Sequence, residues 1–212
     1  MTLFIWIMFI VISVPTAVVI IKKEKFPDFK TMFFKLDRLN VLTYVFLPIV
    51  ITAFKFIRSD LSDIDLTMMY LLIFFGYITA ISDLRYKKIP NKYALSMLGV
   101  WVLITVPRLL IDIQTTVDYV ISAGLGLLFS GGILLTIYLI SRGGLGGGDV
   151  KFMSAAGLYL TLNGVLPAML FGSVLSAITG IVLILSKRIN KKDSIPLAPF
   201  LYAGILITIF LV

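Results

Sequence analysis

The chain contains no histidine and no cysteine. The first absence removes Ser–His and Cys–His nucleophilic sites; the second removes disulfide frameworks and thiolate metal sites. Charge is also scarce. Asp, Glu, Lys and Arg together make up 14% of the residues, where a soluble domain carries about 25%. Carboxylates are the rarer sign, eleven against nineteen basic groups. A carboxylate pair drawn from ten aspartates and one glutamate is then nearly all the hydrolytic machinery left. A Ser–Lys dyad is not excluded, but no Ser and Lys share one obvious helix face and depth, and nothing in the composition calls for a metal or a cofactor. No long linker or low-complexity tract interrupts the chain.

What fills the space instead is apolar sequence, 59% of the 212 residues. Apolar runs cover approximately residues 3–21, 40–57, 66–82, 92–111, 117–140, 150–163, 165–186 and 195–212. Most approach the roughly 20 helical residues that cross a hydrocarbon core. The expected fold is all-α, a polytopic membrane bundle of about eight transmembrane helices. A β-barrel would need alternating strands of about ten residues, which are absent. The sixth run is short and is separated from the seventh only by the turn signal Asn163-Gly164. Residues 1–21 carry no positive charge ahead of the apolar run, so they are expected to be a retained first span rather than a cleaved signal.

The net charge of +8 does not point to nucleic acid, because the basic residues sit in the joints between spans. With the N-terminus outside, sixteen of the nineteen fall in inside joints, among them Lys22 to Arg38, Arg85 to Lys92, Arg142 with Lys151, and Lys187 to Lys192. Only Lys55, Arg58 and Arg108 fall outside. The positive-inside bias therefore predicts both termini outside. The outside joints hold Asp60, Asp63, Asp65, Asp112 and Asp118, which are expected to be solvated loop residues or helix caps. Between the first two spans, Phe26, Phe29, Phe33 and Phe34 interleave with lysines, a pattern that suits the surface of an anionic leaflet as well as a plain loop.

Two aspartates fall at cytoplasmic helix ends on this map. Asp83 lies in ISDLRYKKIPN, where Pro90 turns the chain before the next span. Asp149 follows the glycine cluster of GGLGGGDVKFMSAAG and opens an apolar helix. Glycine-rich backbone at membrane depth must face protein or a water-filled cavity. Two carboxylates brought close share one proton. The charged one can deprotonate an attacking water, and the protonated one can donate to a carbonyl oxygen and then to the leaving nitrogen. The glycine run is a poor phosphate cradle, since it lacks the Gly-Lys-Ser/Thr ending of a P-loop. Elsewhere Gly172, Ser176 and Gly180, and Gly124, Gly131 and Gly132, are spaced as small-residue packing seams.

These residues resemble the prepilin peptidase family of GxGD-type membrane aspartic proteases. The first family motif appears as Asp83 with Ile89-Pro90-Asn91, the second as Gly146-Gly147-Gly148-Asp149-Val150-Lys151, and the third as Ile195-Pro196-Leu197-Ala198-Pro199-Phe200. The resemblance covers about residues 66–212, a six-helix peptidase core, and leaves 1–65 as two N-terminal transmembrane helices with a basic joint. It implies that Asp83 and Asp149 are the catalytic pair, with Ile89, Pro90, Asn91, Gly146, Gly148, Lys151, Pro196 and Pro199 as supporting motif residues. It also implies cleavage of the short basic leader from type IV prepilin-like, pseudopilin-like or archaellin-like substrates at the cytoplasmic face, without metal or other cofactor. Larger members carry a tetracysteine zinc segment after the first span and methylate the new terminus. The joint 22–39 has no cysteine, so methyl transfer is not expected here. The alternative from another class is a small ion-coupled transporter using the same aspartates.

Overall fold

A computed structural model describes residues 50–54, 56–58, 61–141, 144–187 and 195–211, and every described regular element is helical. Five helices follow one another: α1 (Asp63–Tyr86), α2 (Asn91–Ile111), α3 (Ile113–Ile140), α4 (Gly147–Leu185) and α5 (Ala198–Leu211). Residues 50–54 and 56–57 are helical too, which falls within the expected second span; the run 3–21 and the rest of 40–57 lie outside the described residues. Four helices, α1 to α4, are long and apolar enough to cross a membrane. The expected number of about eight is thus not what the described residues display.

The chain divides into two compact units, Met1–Phe74 and Phe75–Val212. In the first, the Phe54 and Tyr70 rings meet edge to face at 5.9 Å. The start of α1 is capped by Ser62, whose Oγ accepts from the Asp65 N–H and donates to Asp65 Oδ2 at 2.6 Å. Asp112 plays the same part for α3, accepting the Thr115 N–H at 3.2 Å. Hydrogen bonds from Thr115 hold the Asp112 carboxyl below its ordinary range. Two of the five acids expected in outer joints are therefore engaged at helix starts.

In the second unit, α4 packs chiefly on α3 and α5. It is not one straight rod, because Thr161 has φ 60° and ψ −176°. That conformation is open essentially to glycine alone and costs a β-branched residue on the order of 1–3 kcal/mol. A reversal of direction follows from the contacts. A straight helix would place Gly172 about 35 Å from Asp149 at 1.5 Å per residue. Yet a Cβ at Gly172 would lie 2.9 Å from Leu201 Cα, and Ala198, three residues earlier on α5, donates its N–H to Asp83. Asp83 in turn lies within electrostatic reach of Asp149. The two arms of α4 therefore run antiparallel, and the break expected at Asn163-Gly164 falls at Thr161.

Close backbone approach holds these arms in place. A Cβ at Gly157 would come within 2.5 Å of the Gly126 carbonyl oxygen. A Cβ at Gly204 would collide with the Ala168 carbonyl, and Gly204 faces Gly172 across the α4–α5 contact. Of the seams expected from sequence, Gly172 and Gly131 pack tightly, Gly180 touches Ile195, and Gly124 and Gly132 have nothing within 4 Å. The last two are corrections: spacing alone marks small residues but not the phase of the helix face that carries them, and on α3 that face carries Gly126 and Gly131.

Several buried polar groups find partners across helices, which suits a lipid environment. The Tyr159 hydroxyl donates to the Met97 carbonyl at 2.6 Å, joining α4 to α2. Trp101 Nε1 donates to the Tyr119 hydroxyl, which donates to the Leu158 carbonyl, and Arg108 lies 5.2 Å from the Tyr119 ring centre. The expected span 195–212 is shorter than anticipated. Residues 195–197, which include Pro196, are not helical, so α5 starts only at Ala198 and runs 14 residues.

Candidate active site

Four helix ends meet where α1 finishes and α2, the first arm of α4, and α5 begin. The last residue of α1 is Tyr86; Lys87 adopts φ 50° and donates its N–H to the Asp83 carbonyl at 2.8 Å, which closes the helix. The chain then crosses in extended form to Pro90, which sits with φ −62° and ψ 135° ahead of α2. Ser82 Oγ ties this crossing down by donating to the Lys88 carbonyl at 2.8 Å. Asp83 thus sits one turn from the end of α1, and it is 6% exposed.

Asp149 sits in the first turn of α4, behind an extended Gly146, and is also 6% exposed. A Cβ at Gly146 would lie 2.8 Å from Asp149 Oδ2, so a side chain there would push the carboxylate from its place. Gly148 is held to glycine more strictly, because its Cβ would lie 2.7 Å from Ile89 Cβ. The glycine of the second motif therefore makes room for the isoleucine of the first. Lys151 completes this join, donating from Nζ to Asn91 Oδ1 at 2.8 Å across 60 residues of sequence.

The third motif reaches the other aspartate. Asp83 Oδ2 accepts the Ala198 N–H at 3.1 Å, and the Leu197 backbone also hydrogen-bonds to this carboxylate. These N–H groups belong to the start of α5, where the unsatisfied amides and the helix dipole favour negative charge. Pro199 lies in the first turn of α5, where a missing N–H breaks no helical bond. Pro196 lies in the extended lead-in. Asp149 Oδ1, by contrast, is buried with no hydrogen-bond partner.

All ten residues singled out in the sequence therefore fall in one region. Asp83, Ile89, Pro90 and Asn91 come from the α1–α2 crossing, Gly146, Gly148, Asp149 and Lys151 from the start of α4, and Pro196 and Pro199 from the start of α5. Sequence reasoning missed the backbone donors at Leu197 and Ala198. The signal for them was present in the two prolines, which leave the intervening amides as the free donors of a helix start. Among the described residues no three acidic side chains cluster to hold a metal ion.

A model of the type IV leader peptidase family matches residues 66–181. The chain belongs to the type IV leader peptidase family. The match takes in both aspartates and all of α2 and α3, and it stops inside the second arm of α4. Two relatives are prepilin leader peptidase/N-methyltransferases. That of Bacillus subtilis is 29% identical over 127 residues, covering 60% of this chain and 48% of the relative. That of Xanthomonas campestris pv. campestris is 26% identical over 124 residues, covering 56% of this chain and 41% of the relative. The chain thus spans about half the length of these relatives or less. No solved structure matches it. Several long apolar helices together with the family make this an integral membrane protein.

Proposed function

We propose that this protein is an aspartic endopeptidase that removes the short basic leader from prepilin-like substrates, with Asp83 and Asp149 as its catalytic pair. The observation that carries the reading is the convergence of three separated motifs on two buried carboxylates that feel each other's charge. Family membership supports the same reading and leaves the ion-coupled transporter without support.

The chemistry follows from the unequal surroundings of the two acids. Asp83 receives the backbone N–H groups of Leu197 and Ala198, which stabilise a carboxylate, whereas the Asp149 carboxyl is reached by the Gly146 backbone alone and its Oδ1 receives none. The shared proton is best held on Asp149. Asp83 then takes a proton from a water as its oxygen attacks the scissile amide carbon. Asp149 donates to the carbonyl oxygen, and the tetrahedral adduct collapses as the amine leaves with a proton. No covalent enzyme intermediate is needed.

Arg85, Lys87, Lys88, Lys92 and Lys151 lie at the same helix ends as the aspartates. Positive charge holds such ends in the cytoplasm, which supports an active site on that face with both termini outside. A substrate with a basic leader inside and a hydrophobic helix in the bilayer would present its junction at this depth. Since the joint 22–39 lacks cysteine, cleavage without methylation is the expected outcome.

The test is co-expression with a cognate prepilin and mass spectrometry of the new N-terminus. Asp83→Asn and Asp149→Asn should each abolish leader removal while the protein still accumulates in the membrane. Normal processing by either variant overturns the assignment, and a methylated product overturns the reading of the N-terminal joint.

A further inference from the structure

A cleft of about 460 Å³ opens between α2, α3 and α4. Its walls are apolar, formed by Leu95 and Leu98 of α2, Leu127 of α3 and Ala155 of α4. Lys92 and Lys151 line the end nearest the starts of α2 and α4, and among the described residues no carboxylate lines it. Leu95 is 69% and Leu98 42% exposed, so the cleft faces outward from the bundle. In an integral membrane protein that direction is the bilayer.

We propose that this cleft is a binding site for one anionic phospholipid, with its phosphate between Lys92 and Lys151 and an acyl chain lying along the leucines. Three features of the cleft select this occupant. Polarity runs from basic to apolar along the helix axes. Asn91, Leu95 and Leu98 form an i, i+4, i+7 stripe that starts beside the lysines and descends into apolar surroundings. Two ammonium groups at the headgroup level of a groove between spans attract an anionic headgroup.

Helix phase separates the cleft from the chemistry. At about 100° per residue, Lys151 and Ser154 point roughly 140–200° away from Asp149 around α4. A peptide seated here would hold its scissile bond on the wrong side of that helix. Size argues the same way. A helical segment about 10 Å across occupies on the order of 400 Å³ per turn, so the cleft would take barely one turn. An extended hydrocarbon chain is thin enough to lie within it.

The site has one connection to the aspartates. Lys151 already donates to Asn91, so a phosphate drawn to the same ammonium would sit beside the hydrogen bond that joins the first two motifs. The binding itself does not depend on the peptidase reading, and its test needs no substrate.

The full-length chain, purified in mild detergent, is offered phosphatidylglycerol or phosphatidylcholine with identical acyl chains and examined by native mass spectrometry. Phosphatidylglycerol should be retained at least ten-fold better. Lys92→Gln with Lys151→Gln should abolish the preference. Leu98→Trp, which fills the groove and removes no charge, should reduce retention of both lipids. Arg108→Gln, at the other end of α2, should leave the preference intact. Equal retention of the two lipids by the unaltered chain overturns the proposal, as does a preference that survives both lysine substitutions. Displacement of the lipid by millimolar inorganic phosphate would reassign the site to a free anion. Capture of a hydrophobic peptide segment by a photo-crosslinker at position 98, in place of lipid, would reassign it to a protein partner.

Discussion

Lys151 Nζ stands 2.8 Å from Asn91 Oδ1, and this bond fastens the helix carrying Asp149 to the turn that follows Asp83. The bond thus joins the start of α4 to the start of α2, the two helix starts that lie beside Asp149 and just after Asp83. A hydrogen bond from a charged donor contributes about 1.5–3 kcal/mol. Lys151→Met and Asn91→Leu should each lower kcat/KM for leader cleavage about 10- to 100-fold. The double variant should lose little more than either single one, because both remove the same bond. Additive losses in the cycle would mean the two side chains act separately.

The contact between Gly148 and Ile89 makes a second, steric prediction. A methyl at 148 would overlap Ile89 and force the α1–α2 crossing away from α4. Overpacking of this kind costs about 1–3 kcal/mol. Gly148→Ala should therefore impair cleavage, and Ile89→Gly in the same chain, which removes the overlapping Cβ, should restore part of it. Failure of that rescue, with both proteins folded, would show that Gly148 serves another purpose.

Asp83 depends on the start of α5. Ala198→Pro deletes the N–H that reaches Asp83 Oδ2 at a helix position where proline is otherwise accepted. The expected effect is a fall in kcat of at least about ten-fold, from loss of a hydrogen bond to a charged acceptor. Ala198 is fully buried, so Ala198→Val serves as the control: it adds similar bulk and keeps the donor. Equal activity of the two variants would remove the N–H from the mechanism.

The fold-back of α4 predicts stability rather than activity. Gly126→Ala should lower the thermal unfolding midpoint in detergent, through a loss of about 1–3 kcal/mol as the Cβ meets the Gly157 carbonyl. Gly132→Ala, with open space around it, should not. Thr161→Gly should raise the midpoint slightly, since relief of backbone strain of about 1–3 kcal/mol outweighs the roughly 1 kcal/mol entropic cost of glycine. A lower midpoint for Thr161→Gly would show that the threonine side chain contributes more than its backbone costs.

The sequence by itself determined that this chain is a helical membrane protein, and it singled out Asp83 and Asp149. Apolar run length is a local property, tied to bilayer thickness and helical rise. The absence of histidine and cysteine left the aspartates beside glycine and proline as the evident reactive groups. Helix phase and chain direction are not local, and there the tertiary structure decided. Whether Gly124 or Gly126 meets a neighbour depends on a rotation of about 200° around α3 that spacing does not reveal. The place where α4 reverses was set by the backbone of Thr161, a residue whose type gives no turn signal. Above all, the pairing of Asp83 with the Ala198 N–H joins residues 115 apart. Only packing brings the free amides of one helix start to the carboxylate at the end of another.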